Sequence, residues 1–270
     1  MTRRLMVVAL LLVALACRAE VVEELVQLPS AGDAHQPVLI THDDGQPTAA
    51  LAVLFSGGDG QVGLQKSFPR PDGHAAVFPH PNGNFLVRSR SLFAGRGVAT
   101  AVVDVPADQH SFDDAFRMSR RHVADVREVV NELRRRFPGA PVYLVGTSRG
   151  TVSAAYAGAA LGDAIDGVVL TSTVVNSTRG GPGVSAFDWK SIHTRLLFVH
   201  HIDDGCKSTP YAQVRSVATG RTLITAHGGD PARSDPCEPF SAHGYLGIEA
   251  PVVDAIVQWI RGGTPPVDVP

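Results

Sequence analysis

The feature that most constrains this 270-residue chain is an apolar run that stops abruptly at a glycine. Residues 142–150 read VYLVGTSRG, and a small-residue segment follows at 154–157. The apolar run predicts a buried strand, and the alanine-rich segment predicts a helix. The turn between them is so tight that glycine is needed on both sides, at Gly146 and Gly150. Such a turn leaves the hydroxyl of Ser148 exposed at its tip.

Other apolar runs alternate with helical patterns, which predicts an α/β fold: a mostly parallel central sheet with helices on both faces. Strands are expected at 23–27, 38–41, 49–55, 98–105, 165–170, 196–199 and 221–226, the first two as a hairpin. Helices are expected at 85–94, 112–137, 211–217 and 250–260. Since no composition break divides the strands, we predict a single domain over residues 20–270, with a frayed tail at 262–270.

Composition is typical of a globular protein with a large core. Charged residues make up 19% of the chain, apolar residues 44%, and the net charge is −2. The 24 lysines and arginines never form a long run, so we expect no nucleic-acid partner.

The first 19 residues have the pattern of a secretory signal peptide. Two arginines precede an apolar block at 5–16, which is short for a membrane span. Cleavage is expected near residues 16–19, and Cys17 leaves a lipid anchor open as an alternative. The protein is therefore expected to be periplasmic or secreted.

Export changes the interpretation of the cysteines. Once Cys17 is cleaved off or lipidated, Cys206 and Cys237 remain as an even pair in an oxidising compartment. We expect a disulfide between them, worth ~3–4 kcal/mol in the chain-entropy model. Two buried free thiols are the alternative.

A serine hydroxyl is a weak nucleophile that needs a base within hydrogen-bond reach and a carboxylate to orient that base. In an open α/β sheet these groups gather at the carboxyl ends of the strands. The candidates for the acid are Asp203 and Asp204, and those for the base are His243 and His227. The resulting chain order is Ser, Asp, His.

With this order, the chain resembles an α/β-hydrolase of the esterase or dienelactone-hydrolase type. The resemblance rests on the turn at 146–150, the aspartate pair and the late His243, and it covers residues 22–260. It implies Ser148 as nucleophile. It favours Asp204 as the acid, because similar hydrolases place the carboxylate a few residues beyond the strand. His243 is favoured as the base, because a disulfide from Cys237 would tie its loop to the acid loop.

The resemblance also implies an oxyanion hole made of two backbone N–H groups. One belongs to Arg149, the residue after the nucleophile, and the other to Gly58, in the loop after the first central strand. Related hydrolases often have His-Gly in that loop, where this chain has Ser56-Gly57. Each donor is worth roughly 2.7–4 kcal/mol of barrier. A simple glycine turn is the alternative.

Together these features predict an exported serine hydrolase that cleaves a carboxylic ester through an acyl-enzyme. Peptide or amide hydrolysis on the same triad is one alternative, and a non-catalytic exported binding protein with this fold is another. The expected partner is a small-molecule ester or amide, contacted by the loops at 61–84 and 171–190. The aromatic residues of these loops either contact it or pack the loops down: Phe68, Phe78, Phe187 and Trp189. His74 and His80 are further candidate contacts.

No cofactor is expected, although ligand-type side chains cluster at 200–204. Adjacent residues at a strand end point in opposite directions, so few of these side chains converge on one ion. We therefore expect no metal site. The oligomeric state is left open.

Overall fold

The computed structural model describes residues 20–64, 68–69, 75–76 and 83–270. The predicted signal peptide and Cys17 lie outside the described residues. The strands are β1 (Val21–Pro29), β2 (His35–Asp43), β3 (Ala50–Phe55), β4 (Phe68–Pro69), β5 (Ala75–Ala76), β6 (Val98–Val103), β7 (Val142–Thr147), β8 (Gly167–Thr171), β9 (Arg195–His201), β10 (Thr222–Ala226) and β11 (Asp268–Val269). The helices are α1 (Phe85–Ala94), α2 (Asp114–Arg117), α3 (Arg120–Arg136), α4 (Gly150–Leu161), α5 (Tyr211–Val217) and α6 (Glu249–Ile260). None of these helices is long and apolar enough to span a bilayer.

Nine strands form one sheet in the order β1-β2-β6-β3-β7-β8-β9-β10-β11, and β4 and β5 pair separately. The leading hairpin and the β2–β6 pair are antiparallel. Every neighbouring pair from β6 to β11 is parallel. The prediction of a mostly parallel α/β sheet is confirmed.

The central strands are buried on both faces because helices cover both. Every residue of β3, β6, β7 and β8 is buried. Alternate residues of β3 belong to separate apolar clusters, one shared with α3 and α4 and the other with α1 and α6. This explains why these strands read as continuous apolar runs.

The predicted helix at 112–137 is wrong in its continuity. It is divided into α2 and α3, with a break at Met118 and Ser119. The Ser119 side chain accepts a hydrogen bond from the His122 N–H, so it caps a new helix instead of continuing the old one.

The prediction of a frayed tail at 262–270 is also wrong. Strand β11 lies parallel to β10, and the side chain of Val269 is buried. The N–H groups of Thr225 and His227 donate to carbonyls of the tail. The tail therefore covers the edge that β10 would otherwise expose.

Close packing explains the two glycines around Ser148. A Cβ on Gly146 would lie 2.3 Å from the Gly150 carbonyl oxygen. A Cβ on Gly150 would lie 2.1 Å from the carbonyl oxygen of Phe55, in β3. Any larger residue at either position has to displace backbone.

Gly150→Ala is expected to lower the free energy of unfolding by about 3 kcal/mol or more, because the new methyl group meets the backbone of β3. Urea denaturation measures this change. Gly95→Ala is the matched control, since Gly95 is exposed, has a helical φ of −63°, and leaves 3.4 Å to the nearest atom. Equal stability of the two variants would contradict the packing argument.

Candidate active site

Ser148 lies at the turn from β7 into α4. Its φ of 53° is in the left-handed region, which residues other than glycine rarely adopt. Its N–H donates to the carbonyl of Thr171, at the end of β8, over 3.0 Å. Its carbonyl accepts hydrogen bonds from both the N–H and the hydroxyl of Thr151. The strained backbone is held from both sides, a common feature of functional turns.

The sheet order brings the glycine loop after β3 to Ser148. Strand β3 pairs with β7 so that Phe55 lies beside Gly146. A Cβ on Gly57 would lie 2.8 Å from the Cβ of Ser148, so glycine is required by the close approach. The predicted oxyanion loop and the predicted nucleophile are therefore neighbours.

Asp204 follows β9 and is almost fully buried, with 8% of its surface exposed. Its Oδ1 accepts the Cys206 N–H at 3.0 Å, and its Oδ2 accepts the Thr209 hydroxyl at 2.9 Å. His243 Nδ1 lies 3.0 Å from Oδ2, and His200 Nε2 lies 3.3 Å from it. The carboxylate is thus surrounded by donors.

These donors change the acidity of Asp204. Burial by itself raises the pKa of the carboxyl group, but the hydrogen bonds from His200 and His243 outweigh it. The net result is a pKa well below the ordinary value, so the group stays ionised in the native protein.

His243 presents one nitrogen to Asp204 and keeps the other free. A carboxylate only accepts, so Nδ1 carries the proton and Nε2 carries the lone pair. Nε2 is buried and makes no hydrogen bond with any described residue. His243 and Ser148 line the same cavity, although the described residues show no hydrogen bond between their side chains. The unpartnered Nε2 is the atom that a base would use.

Three residues that sequence reasoning missed hold the His243 loop. The Ser172 hydroxyl donates to the His243 carbonyl at 2.7 Å. The Tyr245 hydroxyl is fully buried, donates to the carbonyl of Val199 at 2.8 Å and accepts the Ser172 N–H at 3.1 Å. Thr209 supports both Asp204 and the imidazole. The only sequence signal for Ser172 and Tyr245 is their place just after a strand and just after the late histidine.

The structure places the alternative triad residues elsewhere. Asp203 is exposed, and its backbone N–H donates to His201 Nδ1. His227 Nε2 lies on the surface against Asp268, at 2.9 Å. Neither residue lines the cavity of Ser148.

The two predicted oxyanion donors are close to the nucleophile. Gly58 lines the cavity with Ser148 and has a φ of +59°, and Arg149 directly follows Ser148. Among the described residues, no carbonyl accepts a hydrogen bond from either N–H. The first N–H groups of a helix lack intrahelical partners, which leaves Arg149 free at the start of α4.

Cys206 and Cys237 form a disulfide with a Cα–Cα distance of 4.5 Å. Cys206 is buried beside Asp204, whereas Cys237 is exposed and lines the cavity. The bond joins the loop of Asp204 to the loop that leads into His243.

Reduction of this disulfide is expected to lower the free energy of unfolding by ~3–4 kcal/mol, as the chain-entropy model gives for a separation of 31 residues. Urea denaturation with and without reductant measures the change. The double variant Cys206→Ser/Cys237→Ser should match the reduced protein and be insensitive to reductant. Superimposable curves for the oxidised and reduced wild type would contradict the expectation.

The cluster at 200–204 does not converge on one point. His200 meets Asp204, but His201 Nε2 contacts the carbonyl of Gly228, 3.0 Å away. Within the described part of the chain, no group of three or more histidine, cysteine or acidic side chains could hold a metal ion. His200 instead supports Asp204 and contacts the Thr209 carbonyl at 2.8 Å.

The aromatic residues of the 171–190 loop pack inward. Phe187 contacts Tyr156 and Trp189, and Trp189 contacts Phe198 of β9, with ring centroids 4.9–5.3 Å apart. None of them lines the cavity. His74, His80 and Phe78, which lie in the other predicted loop, are outside the described residues.

Several solved structures are similar to this chain over most of its length. An esterase from an Arctic intertidal metagenomic library is similar, with a TM-score of 0.56 and 17% identity over 87% of this chain and 93% of its own. An α/β serine hydrolase without a lid from Xanthomonas campestris gives a TM-score of 0.56 and 13% identity, over 88% of this chain and 93% of its own. The dienelactone hydrolase of Anabaena variabilis gives a TM-score of 0.55 and 12% identity, over 90% of this chain and 96% of its own. The chain has the α/β-hydrolase fold.

A family model described as serine aminopeptidase, S33, matches residues 115–223. This segment includes Ser148 and Asp204 and ends before His243. No curated protein sequence matches the chain. The family model covers less than half of the chain, and the similar structures show the α/β-hydrolase fold that the motifs indicated.

Proposed function

We propose that this α/β-hydrolase is a serine esterase that acts through an acyl-enzyme, with Ser148, His243 and Asp204 as its triad. The observation that carries the proposal is the shared cavity: the strained Ser148 faces the same space as His243, whose other nitrogen is bound to a buried carboxylate. The related solved structures include proteins described as esterases, which supports the reaction class.

In the proposed first step, the Ser148 hydroxyl attacks the ester carbonyl and His243 Nε2 takes its proton. Asp204 stabilises the imidazolium through Nδ1, and the N–H groups of Gly58 and Arg149 stabilise the negative oxygen. The intermediate collapses, and the leaving alcohol receives the proton from His243. Water then repeats the sequence, with His243 as base, and releases the acid.

The substrate is proposed to be a small-molecule ester with a short acyl chain. The cavity has a volume of about 130 Å³ and is lined by backbone of the glycine loop, by Phe85 and by Pro239. Short-chain nitrophenyl esters are therefore the first substrates to test.

Peptide hydrolysis is a second candidate, because the matching family model is described as an aminopeptidase. Within the described residues, only loops and one short 3-10 turn, at Trp189–Ser191, separate β8 from β9, so no helical lid is inserted there. We favour ester hydrolysis, and a panel of aminoacyl arylamides beside the nitrophenyl esters distinguishes the two activities.

Export is proposed on the N-terminal pattern, with the disulfide as support, since such bonds persist in oxidising compartments. Expression of the full chain followed by separation of periplasm, medium and membranes tests it. Retention of the protein in the cytoplasm would contradict export.

Covalent labelling tests the proposed function directly. The folded protein should react with a fluorophosphonate, and mass spectrometry should find the adduct on the peptide that contains Ser148. A folded protein with neither labelling nor turnover would instead support a non-catalytic binding role.

A further inference from the structure

Two arginines from different elements reach the glycine loop at 56–60. Arg117 ends α2 and is fully buried, and Arg149 follows Ser148. Both guanidinium groups donate to the Gly58 carbonyl, Arg149 at 3.1 Å and Arg117 at 3.5 Å. Arg117 also donates to the Ser56 carbonyl at 3.3 Å. Neither arginine was singled out for its side chain by the sequence.

Each guanidinium is anchored on the side away from the loop. Arg117 donates to the Phe112 carbonyl at 3.1 Å and to the Ser153 hydroxyl at 2.9 Å. Arg149 is paired with Asp114, at 2.9 Å, and Asp114 is itself fully buried. These contacts hold the forks in one orientation, which a flexible lysine would not achieve equally well.

Arg117 is a cation at neutral pH. Burial, together with the nearby charge of Arg149, lowers the pKa of Arg117 to about 9. A buried cation that donates to backbone carbonyls makes charge-assisted hydrogen bonds, which are stronger than neutral ones.

The acceptors of these bonds bracket one peptide unit. The carbonyls of Ser56 and Gly58 lie on either side of the Gly57–Gly58 peptide, and the carbonyl of that peptide accepts the Gly60 N–H at 3.1 Å. Two consecutive glycines restrain the backbone only weakly, so external hydrogen bonds must set its orientation. The N–H of this same peptide is the proposed oxyanion donor of Gly58.

We propose that Arg117 and Arg149 are positioning residues that hold the Gly57–Gly58 peptide so that its N–H meets the developing oxyanion. This inference rests on the proposed esterase function. The backbone N–H of Arg149 is the second proposed oxyanion donor, whereas the positioning role belongs to the two arginine side chains. They act through the loop, and the effect of losing them should be specific to the transition state.

Arg149→Met keeps an unbranched stem and removes the guanidinium donors. We expect kcat for a short-chain nitrophenyl ester to fall about 10- to 100-fold, as small displacements of catalytic groups do, with KM changed less than about 3-fold. The inhibition constant of a trifluoromethyl ketone, which forms an oxyanion adduct, should rise by the same factor as kcat/KM falls. For Arg149→Lys, kcat and the inhibition constant should lie between those of Arg149→Met and those of the wild type.

Two further variants separate positioning from folding. Arg135→Met removes an exposed arginine of α3 and should leave all three constants unchanged. Arg117→Lys keeps a nitrogen donor at the buried position and should reduce the affinity for the ketone less than Arg149→Met does. Loss of kcat without a parallel loss of ketone affinity, or an unchanged kcat/KM in Arg149→Met, would overturn the proposal.

A crystal structure of Arg149→Met judges the clamp independently of activity. A turned or displaced Gly57–Gly58 peptide supports the proposal, and a peptide that keeps its native orientation overturns it. If the wild type neither turns over esters nor reacts with a fluorophosphonate, the esterase function fails, and this structure still decides whether the arginines position the loop.

Discussion

Ser148→Ala is expected to reduce ester turnover by about 10⁴- to 10⁶-fold, because it removes the atom that forms the acyl-enzyme. Fluorophosphonate labelling should disappear with it. The free energy of unfolding should change by less than about 1 kcal/mol, since alanine and serine are strained alike at a φ of 53°.

Initial rates with a nitrophenyl ester and gel-based labelling measure both effects. Ser216→Ala, on the exposed side of α5, is the matched control and should behave as the wild type. Undiminished labelling in Ser148→Ala would assign the nucleophile to another residue and remove the basis of the proposed function.

Asp204→Asn is expected to reduce kcat about 10³- to 10⁴-fold while the fold persists. The carboxylate accepts hydrogen bonds from four groups, and the amide replaces one of its oxygens by a donor. His243 Nδ1 then loses its acceptor, which favours the wrong tautomer and leaves the imidazolium without its counter-charge.

Asp203→Asn is the matched control, because Asp203 is the exposed neighbour that the sequence left as an alternative acid. Its kcat should stay within about 2-fold of the wild type, as for a surface substitution that touches no catalytic group. A loss of activity in Asp203→Asn but not in Asp204→Asn would reverse the assignment.

Asp204→Asn also reports how stability depends on pH. The native pKa of Asp204 lies below its unfolded value of about 3.9, so the ionised group stabilises the fold above that pH. This contribution is lost as pH falls through the native pKa. The difference in unfolding free energy between wild type and Asp204→Asn should be largest near pH 7 and smaller at pH 3. A difference that grows on acidification would contradict the direction of the pKa shift.

Much of the fold could be predicted from the sequence because its central strands are buried on both faces and leave unbroken apolar runs. The prediction is wrong where a capping side chain or a distant strand determines the secondary structure. Ser119 caps a new helix through its hydroxyl, and β11 exists only because β10 offers it an edge. Neither effect produces a hydrophobic period.

The candidate site divides in the same way. Local chemistry was enough to nominate Ser148 and the aspartate and histidine candidates, because a strand-turn-helix signal and chain order are readable. The packing of β9 against the late loop decides which aspartate faces His243. The same packing brings His200 and Thr209 to the Asp204 carboxylate.

The sequence by itself determined the tight turn at Ser148, since only glycine fits where a Cβ would lie 2.3 Å and 2.1 Å from backbone oxygens. Tertiary structure alone decided what surrounds that turn. The pairing of β3 with β7 brings the glycine loop to Ser148, and two arginines 32 positions apart in the chain meet at one carbonyl of that loop, Arg117 and Arg149. Long side chains and backbone carbonyls carry no local pattern, so only the folded chain reveals where they meet.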